Sequence, residues 1–312
     1  MVIYVDTPFK ERQKKMLRMS VDDEFIFKDE LKLESDQEQA LVGADILLGN
    51  PRPASLLSKA KNLKWIQLYS TGFEYYREVN TKAVVTNMQD YYSEPAAETV
   101  IAGILSLYRR TGLFSLLKNG KEWVGYPIRA GLQTLQHKNV IILGPGNIGK
   151  RVAKILSGFD CKISFYGRNS PIADVRTIKE LEVALSEADI VIGCLPGTSE
   201  TRGLFTKKMI SAMKSTALFC NIGRGNLLEN ENDLVAALIN GTIGGAVLDV
   251  TFEEPLPLDH PLWDCPNTVL TQHSGGGSST EYEGIAALFL ENLEAFKAGK
   301  PLKNKVDFTK GY

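Results

Sequence analysis

Short apolar runs, each flanked by charged or small polar residues, recur along the N-terminal third of the chain at 2–5, 25–27, 45–48, 65–68 and 83–86. Each is too short for a helix and lacks strict alternation, as expected of strands buried on both faces of a parallel sheet. Short helices separate them, such as 53–60, with a charged one around 10–18. The alternation predicts a compact α/β unit of about 90 residues, an ordinary domain size. At Tyr91-Tyr-Ser-Glu-Pro95 the pattern changes. Pro95 suits a helix start, and 96–117 repeats apolar residues at helical period, which predicts one long helix leading into a second unit. Residues 118–135, with Trp123 and Tyr126, show no period and read as an arm or loop.

A second alternation runs from Asn139. Strands are predicted at 140–143, 162–166, 189–193, 216–220, 245–248 and 268–271, with helices near 178–186, 207–213 and 231–240. Gly241 is placed to close the last of these. Ser278-Ser-Thr-Glu281 has capping-box spacing and opens a helix to about Lys297. That helix lies beyond the second sheet, so the tail is expected to return to the first unit. No internal repeat or low-complexity segment interrupts the pattern.

Length and composition narrow the class. A chain of 312 residues is long for one core, and two domains are expected. A net charge of −1 gives no basic excess for nucleic acid or an anionic membrane. No apolar run has transmembrane length, and the start of the chain lacks signal-peptide character. The four cysteines, Cys161, Cys194, Cys220 and Cys265, lack C-x-x-C spacing and read as buried thiols in a reducing cytoplasm. Three histidines, His137, His260 and His273, leave a histidine-rich metal site out of the picture. His137 reads as a surface residue and His260 as a loop residue.

The candidate chemistry centres on Gly144-Pro-Gly-Asn-Ile-Gly149, which follows a predicted strand and opens a helical stripe at Val152, Ile155 and Leu156. In G-x-G-x-x-G, Gly144 permits the tight turn, Gly146 the approach of a pyrophosphate, and Gly149 close helix–strand packing. Asn147 and Ile148 fall at the helix N-terminus, where unpaired N–H groups and the helix dipole favour phosphate. Polar groups follow the later strands: Asn221-Ile-Gly-Arg-Gly225, Asp249-Val-Thr-Phe-Glu-Glu-Pro255 and Gln272-His-Ser-Gly275. Ligands of open parallel sheets bind beyond the carboxyl ends of strands, so an arginine, carboxylates and a histidine converge on the rim that holds the glycine turn.

These pieces, with Leu195-Pro-Gly-Thr-Ser-Glu-Thr-Arg-Gly203, stand in the order and spacing of a family. From about Tyr69 to the end of the last helix, the chain resembles the D-isomer-specific 2-hydroxyacid dehydrogenases, which include glyoxylate/hydroxypyruvate reductases. The resemblance implies hydride transfer with an Arg–Glu–His set. Arg224 would hold the substrate carboxylate, His273 would exchange a proton with the keto oxygen, and Glu254 would bond the other ring nitrogen and favour the imidazolium. It also implies that Asp249 lies near the nicotinamide, that Leu195 and Pro196 border the cofactor, and that Thr71 and Gly72 bind the substrate carboxylate through backbone N–H groups. Gln272 departs from the family pattern, where proline often precedes the histidine, and Gly275-Gly-Gly-Ser278 looks enlarged.

NAD-selective relatives place a carboxylate at the end of the second strand, about 20 residues beyond the glycine turn. Here Gly167-Arg-Asn-Ser170 carries none, and Arg168, Asn169 and Ser170 suit a 2′-phosphate. NADP(H) is therefore expected, with NAD the alternative. The substrate expected is a small 2-keto or 2-hydroxy acid, glyoxylate or hydroxypyruvate first. A larger keto acid, a phosphoglycerate-type substrate and a dinucleotide-sensing scaffold are the alternatives. No appended regulatory domain of the sort some phosphoglycerate dehydrogenases carry is expected. The expected architecture is two Rossmann-like doubly wound parallel-sheet α/β domains, a cofactor domain (95–274) inserted into a substrate domain (1–94 and 275–312). A homodimer is expected through the cofactor domain and the apolar arm 113–135, with no nucleic-acid or membrane partner.

Overall fold

In the computed structural model, residues 1–308 are described; 309–312 of the expected tail lie outside the described residues. The N-terminal apolar runs form five parallel strands, β1 (Val2–Val5), β2 (Glu24–Phe27), β3 (Ile46–Leu48), β4 (Trp65–Gln67) and β5 (Val84–Thr86), ordered β2-β1-β3-β4-β5. Helices cover both faces, which is why β1, β3 and β4 read as apolar runs without alternation. On one face α1 (Glu11–Ser20) and the C-terminal helix α10 (Glu281–Lys297) bury Leu17, Ile285, Phe289 and Leu293 against Ile3, Val5, Ile46 and Leu48. Phe289 stacks on the Trp65 indole at 5.1 Å. On the other, α2 (Glu34–Gly43) and α3 (Leu56–Lys59) pack Leu41 and Leu57 against Tyr4, Leu47 and Ile66.

The chain divides into two compact units, Met1–Tyr92 with the segment from Ser278 onward, and Ser93–Gly277. The second unit is therefore inserted into the first. It begins with α4 (Ser93–Arg109) and α5 (Thr111–Gly120), followed by a sheet of six parallel strands. These are β6 (Asn139–Leu143), β7 (Lys162–Tyr166), β8 (Ile190–Gly193), β9 (Leu218–Asn221), β10 (Gly245–Leu248) and β11 (Thr268–Leu270), ordered β11-β10-β9-β8-β6-β7. α4 and α6 (Asn147–Ser157) cover one face; α7 (Ile178–Leu185), α8 (Lys207–Ala212) and α9 (Glu231–Ile239) cover the other. The strand order reverses between β6 and β8, and ligands of such sheets bind in the crevice outside that point.

Four local expectations are corrected. The single helix 96–117 is two helices: α4 stops at Arg109, Arg110 turns left-handed (φ 54°), and α5 departs at 61°. The apolar period continues through the break, but α4 buries Val100, Ile101, Ile104 and Tyr108 on the sheet while α5 buries no residue. Pro95 sits third in α4 instead of first; N–H groups of a first turn have no intrahelical partner, so it fits there too. The arm 118–135 contains the end of α5 and a 3₁₀ turn, Tyr126–Gly131. Finally, the Ser278 capping box does not form. Thr280 is the N-cap of α10 and makes no side-chain cap bond; the Tyr91 hydroxyl donates to its carbonyl at 3.2 Å. Among the described residues no single helix is long and apolar enough to cross a membrane.

Candidate active site

After Leu143 the chain must reverse from β6 into α6 within three residues. Gly144 does so at φ 106°, a conformation that side chains disfavour. A Cβ on Gly149 would lie 2.2 Å from the Gly144 carbonyl oxygen, so only glycine lets the first turn of α6 close on the strand. Around Gly146, the N-cap of α6, a Cβ would meet no atom within 4 Å. That open space adjoins the unpaired N–H groups of Asn147, Ile148 and the rest of the first helical turn. Leu195 and Pro196 follow β8, and the Leu195 side chain lies against the Gly144 turn. A dinucleotide pyrophosphate fits this cradle.

Arg168 and Asn169 are exposed in the turn after β7, with Ser170 beside them. The guanidinium is not alone there. Glu200, from the loop after β8, meets Arg168 Nη2 at 2.5 Å. The turn lacks a carboxylate in sequence, and tertiary structure brings one to it.

The Arg–Glu–His set is assembled by three loops at the carboxyl ends of β9, β10 and β11. Asn221 closes β9, buried, with Oδ1 accepting from Gly223 N at 3.1 Å and Nδ2 donating to Arg224 O at 2.9 Å. These bonds shape the turn that presents Arg224, whose Nη1 donates to Gly223 O at 2.9 Å. After β10, Asp249 is buried and its Oδ1 accepts from Thr271 Oγ1 (2.6 Å), Ser274 N (3.1 Å) and Gly275 N (2.9 Å). Its carbonyl accepts the His273 N–H at 2.5 Å. Gln272 (φ 55°) and His273 (φ 53°) both stand in the left-handed region, and the Asp249 bonds hold that unfavourable pair in place. Gly275 packs on Ile222 and Asp249, so the glycine-rich loop starts as part of this support and not as a loose insertion.

Of the two adjacent acidic residues, Glu254 faces the imidazole. Its Oε2 lies 2.6 Å from His273 Nδ1, and its Oε1 accepts the Thr251 N–H at 3.1 Å. Arg224, Asn226, Val250, Thr251, Phe252, Glu254 and His273 line one cavity with Gly225. Burial alone would push the Glu254 carboxyl up. The His273 bond and charge, the Thr251 amide and Arg224 outweigh it, so the pKa is lowered. The Glu254 hydrogen bond raises the His273 pKa against opposing burial; Arg224 lowers it and the charges of Glu254 and Asp249 raise it. Both shifts favour the charged forms, a carboxylate on Glu254 and an imidazolium on His273.

Thr71 and Gly72 belong to the first unit, in the loop after β4. Ser70 Oγ donates to Gly72 O at 2.6 Å, Asn87 Nδ2 to Thr71 O at 2.7 Å, and Thr71 Oγ1 to Gln89 O at 2.9 Å. His137 is exposed, as read from sequence, but His260 caps a 3₁₀ turn and pairs with buried Glu231. Sequence reading also missed Thr271 and Gly225 as supports of the set. The cysteines are free, and burial pushes the Cys194 thiol up to about 12.

Comparison with known proteins gives the family. Residues 101–275 match the family model described as "D-isomer specific 2-hydroxyacid dehydrogenase, NAD binding domain". Glyoxylate/hydroxypyruvate reductase B of Pectobacterium carotovorum subsp. carotovorum is 31% identical over 93% of this chain and 94% of its own. The crystal structure of a D-isomer specific 2-hydroxyacid dehydrogenase family protein from Aeromonas salmonicida subsp. salmonicida superposes with a TM-score of 0.85, at 30% identity, covering 98% of this chain and 99% of that one. An NADPH-dependent glyoxylate/hydroxypyruvate reductase from Sinorhizobium meliloti, solved with NADP and sulfate, shares the fold at a TM-score of 0.83 and 23% identity, covering 100% and 99%. With more than half its length matched by the family model and a full-length relative above 30% identity, the chain belongs to the D-isomer specific 2-hydroxyacid dehydrogenases.

Proposed function

We propose that this NAD(P)-dependent dehydrogenase reduces a small 2-keto acid, glyoxylate or hydroxypyruvate, with NADPH, and runs the reverse oxidation of a D-2-hydroxy acid. The observation that carries the reading is the 2.6 Å contact between His273 Nδ1 and Glu254 Oε2 beside Arg224, on the sheet edge that holds the glycine turn. Gly144, Gly146, Asn147, Ile148 and Gly149 would hold the pyrophosphate, Leu195 and Pro196 would border it, and Arg168, Asn169 and Ser170 would receive the 2′-phosphate. When bound, the dinucleotide supplies the hydride to the substrate carbon. Arg224 clamps the substrate carboxylate through its planar fork and so orients the keto group. His273 Nε2 gives its proton to the keto oxygen in reduction and takes it back in oxidation. Glu254 holds Nδ1, fixes the ring and stabilises the imidazolium. Asp249 holds the His273 loop through its carboxylate and its carbonyl.

The relative from Pectobacterium carotovorum, which bears the name glyoxylate/hydroxypyruvate reductase, supports the choice of substrate. A purely dinucleotide-sensing scaffold would have no need of an aligned Arg–Glu–His set. The exposed apolar arm, with Leu116 (69% exposed), Trp123 (96%) and Tyr126 (78%), supports a homodimer. Four free thiols support a reducing cytoplasm. A screen of keto acids that follows NADPH consumption by absorbance tests the reading. Turnover is expected with glyoxylate or hydroxypyruvate; turnover with none of the 2-keto acids would refute it.

A further inference from the structure

Beside Glu254 lies a second carboxylate–imidazole pair that the reaction above does not use. Glu231 opens α9 and is 6% exposed. Its Oε1 accepts the Phe252 N–H at 2.9 Å, and its Oε2 lies 3.4 Å from His260 Nε2. His260 Nδ1 accepts the Leu262 N–H at 3.3 Å, so the proton of the neutral ring sits on Nε2, the nitrogen nearer Glu231. Phe252 is the next residue after Thr251, whose own N–H donates to Glu254 at 3.1 Å. The Phe252 side chain is 56% exposed, so apolar burial contributes little to holding this stretch. Its backbone is gripped instead, at Phe252 N by Glu231 and at Thr251 O by the close approach of Gly225.

We propose that Glu231, steadied by His260, is a positioning residue for proton transfer: it fixes the Thr251–Phe252 backbone and thereby keeps the Glu254 carboxylate on His273. This rests on the reading of Glu254 and His273 given above. Both carboxylate oxygens are engaged, Oε1 by the Phe252 N–H and Oε2 by the 3.4 Å contact with His260 Nε2, whereas an amide offers one acceptor oxygen. The charged groups acting on Glu231 are His260 and Glu254, and those acting on His273 are Glu254, Arg224 and Asp249. If Glu254 drifts, His273 loses the bond that most raises its pKa. Keto-acid reduction requires the imidazolium, so its rate then falls at a lower pH.

The experiment compares Glu231→Ala, Glu231→Gln and His260→Asn with the unaltered protein. It records the pH profile of kcat/KM for glyoxylate reduction, and NADPH binding by fluorescence titration. In Glu231→Ala the descending limb should move down by about one pH unit, and kcat at neutral pH should fall about tenfold. NADPH affinity should stay unchanged, because Glu231 does not touch the glycine turn. Glu231→Gln keeps one acceptor and should shift the limb less, which also serves if the alanine variant does not fold. His260→Asn should shift it in the same direction. An unmoved limb in folded Glu231→Ala or Glu231→Gln, while His273→Ala is inactive, overturns this inference alone. An active His273→Ala would instead overturn the reading on which it rests.

Discussion

Gly225 stands so close to Thr251 that a Cβ on it would lie 1.7 Å from the Thr251 carbonyl oxygen. The loop presenting Arg224 and the loop presenting Glu254 therefore touch backbone to backbone. That contact sets the spacing between Arg224 and the Glu254–His273 pair. Gly225→Ala must push the loops apart, and a displacement of about 1 Å at a reacting centre can cost on the order of 100-fold in rate. We expect kcat/KM for the keto acid to fall by about that factor, with NADPH binding kept. Steady-state kinetics beside a fluorescence titration of NADPH check it; unaltered kinetics would show that the contact does not set the geometry.

Glu254→Gln should be milder than loss of the histidine. The amide can still bond the ring but brings no charge, so the His273 pKa, raised chiefly by the Glu254 hydrogen bond, should fall. Reduction needs the protonated ring. Its rate is present below that pKa and lost as pH rises through it, so the limb of the glutamine variant should lie at lower pH. A pH profile of glyoxylate reduction measures this directly, and a limb at or above the original pH would contradict it.

Cofactor choice should respond to both members of the Arg168–Glu200 pair. Arg168→Ala removes a charged hydrogen bond to a 2′-phosphate worth roughly 1.5–3 kcal/mol, about ten- to a hundredfold in NADPH affinity, with little change for NADH. Glu200→Gln releases Arg168 from its 2.5 Å partner and should tighten NADPH binding. Calorimetric titration with each cofactor decides; equal responses of NADPH and NADH would refute the assignment.

The arm should hold two copies together. Trp123→Ala with Tyr126→Ala removes two rings that are 96% and 78% exposed in the single chain. Light scattering at micromolar concentration should show a dimer for the unaltered protein and a smaller mass for the double variant. A strictly monomeric unaltered protein would contradict the proposed dimer.

The parallel sheets were legible because strands buried on both faces leave unbroken apolar runs, and the glycine turn because strand, spacing and helix agree at Gly144, Gly146 and Gly149. The order of Arg224, Glu254 and His273 at strand ends was legible for the same reason. Contacts made only by tertiary structure were not. Glu200 reaches Arg168 from a separate loop, Glu231 reaches Phe252 from the start of α9, and the Asp249 carboxylate is taken up by the His273 loop. The break at Arg110 was hidden because the apolar period runs straight through a left-handed residue that is not glycine.

Turnover of glyoxylate by His273→Ala tests the central claim most directly. In the proposed reaction the imidazole acts on the substrate oxygen and not on the dinucleotide, so NADPH should bind the variant as it binds the unaltered protein. NADPH consumption with saturating glyoxylate should fall by about 10²–10⁴-fold, the usual contribution of a positioned acid–base group. Near-unaltered turnover in this variant would show His273 to be a bystander and would contradict the proposed chemistry of the site.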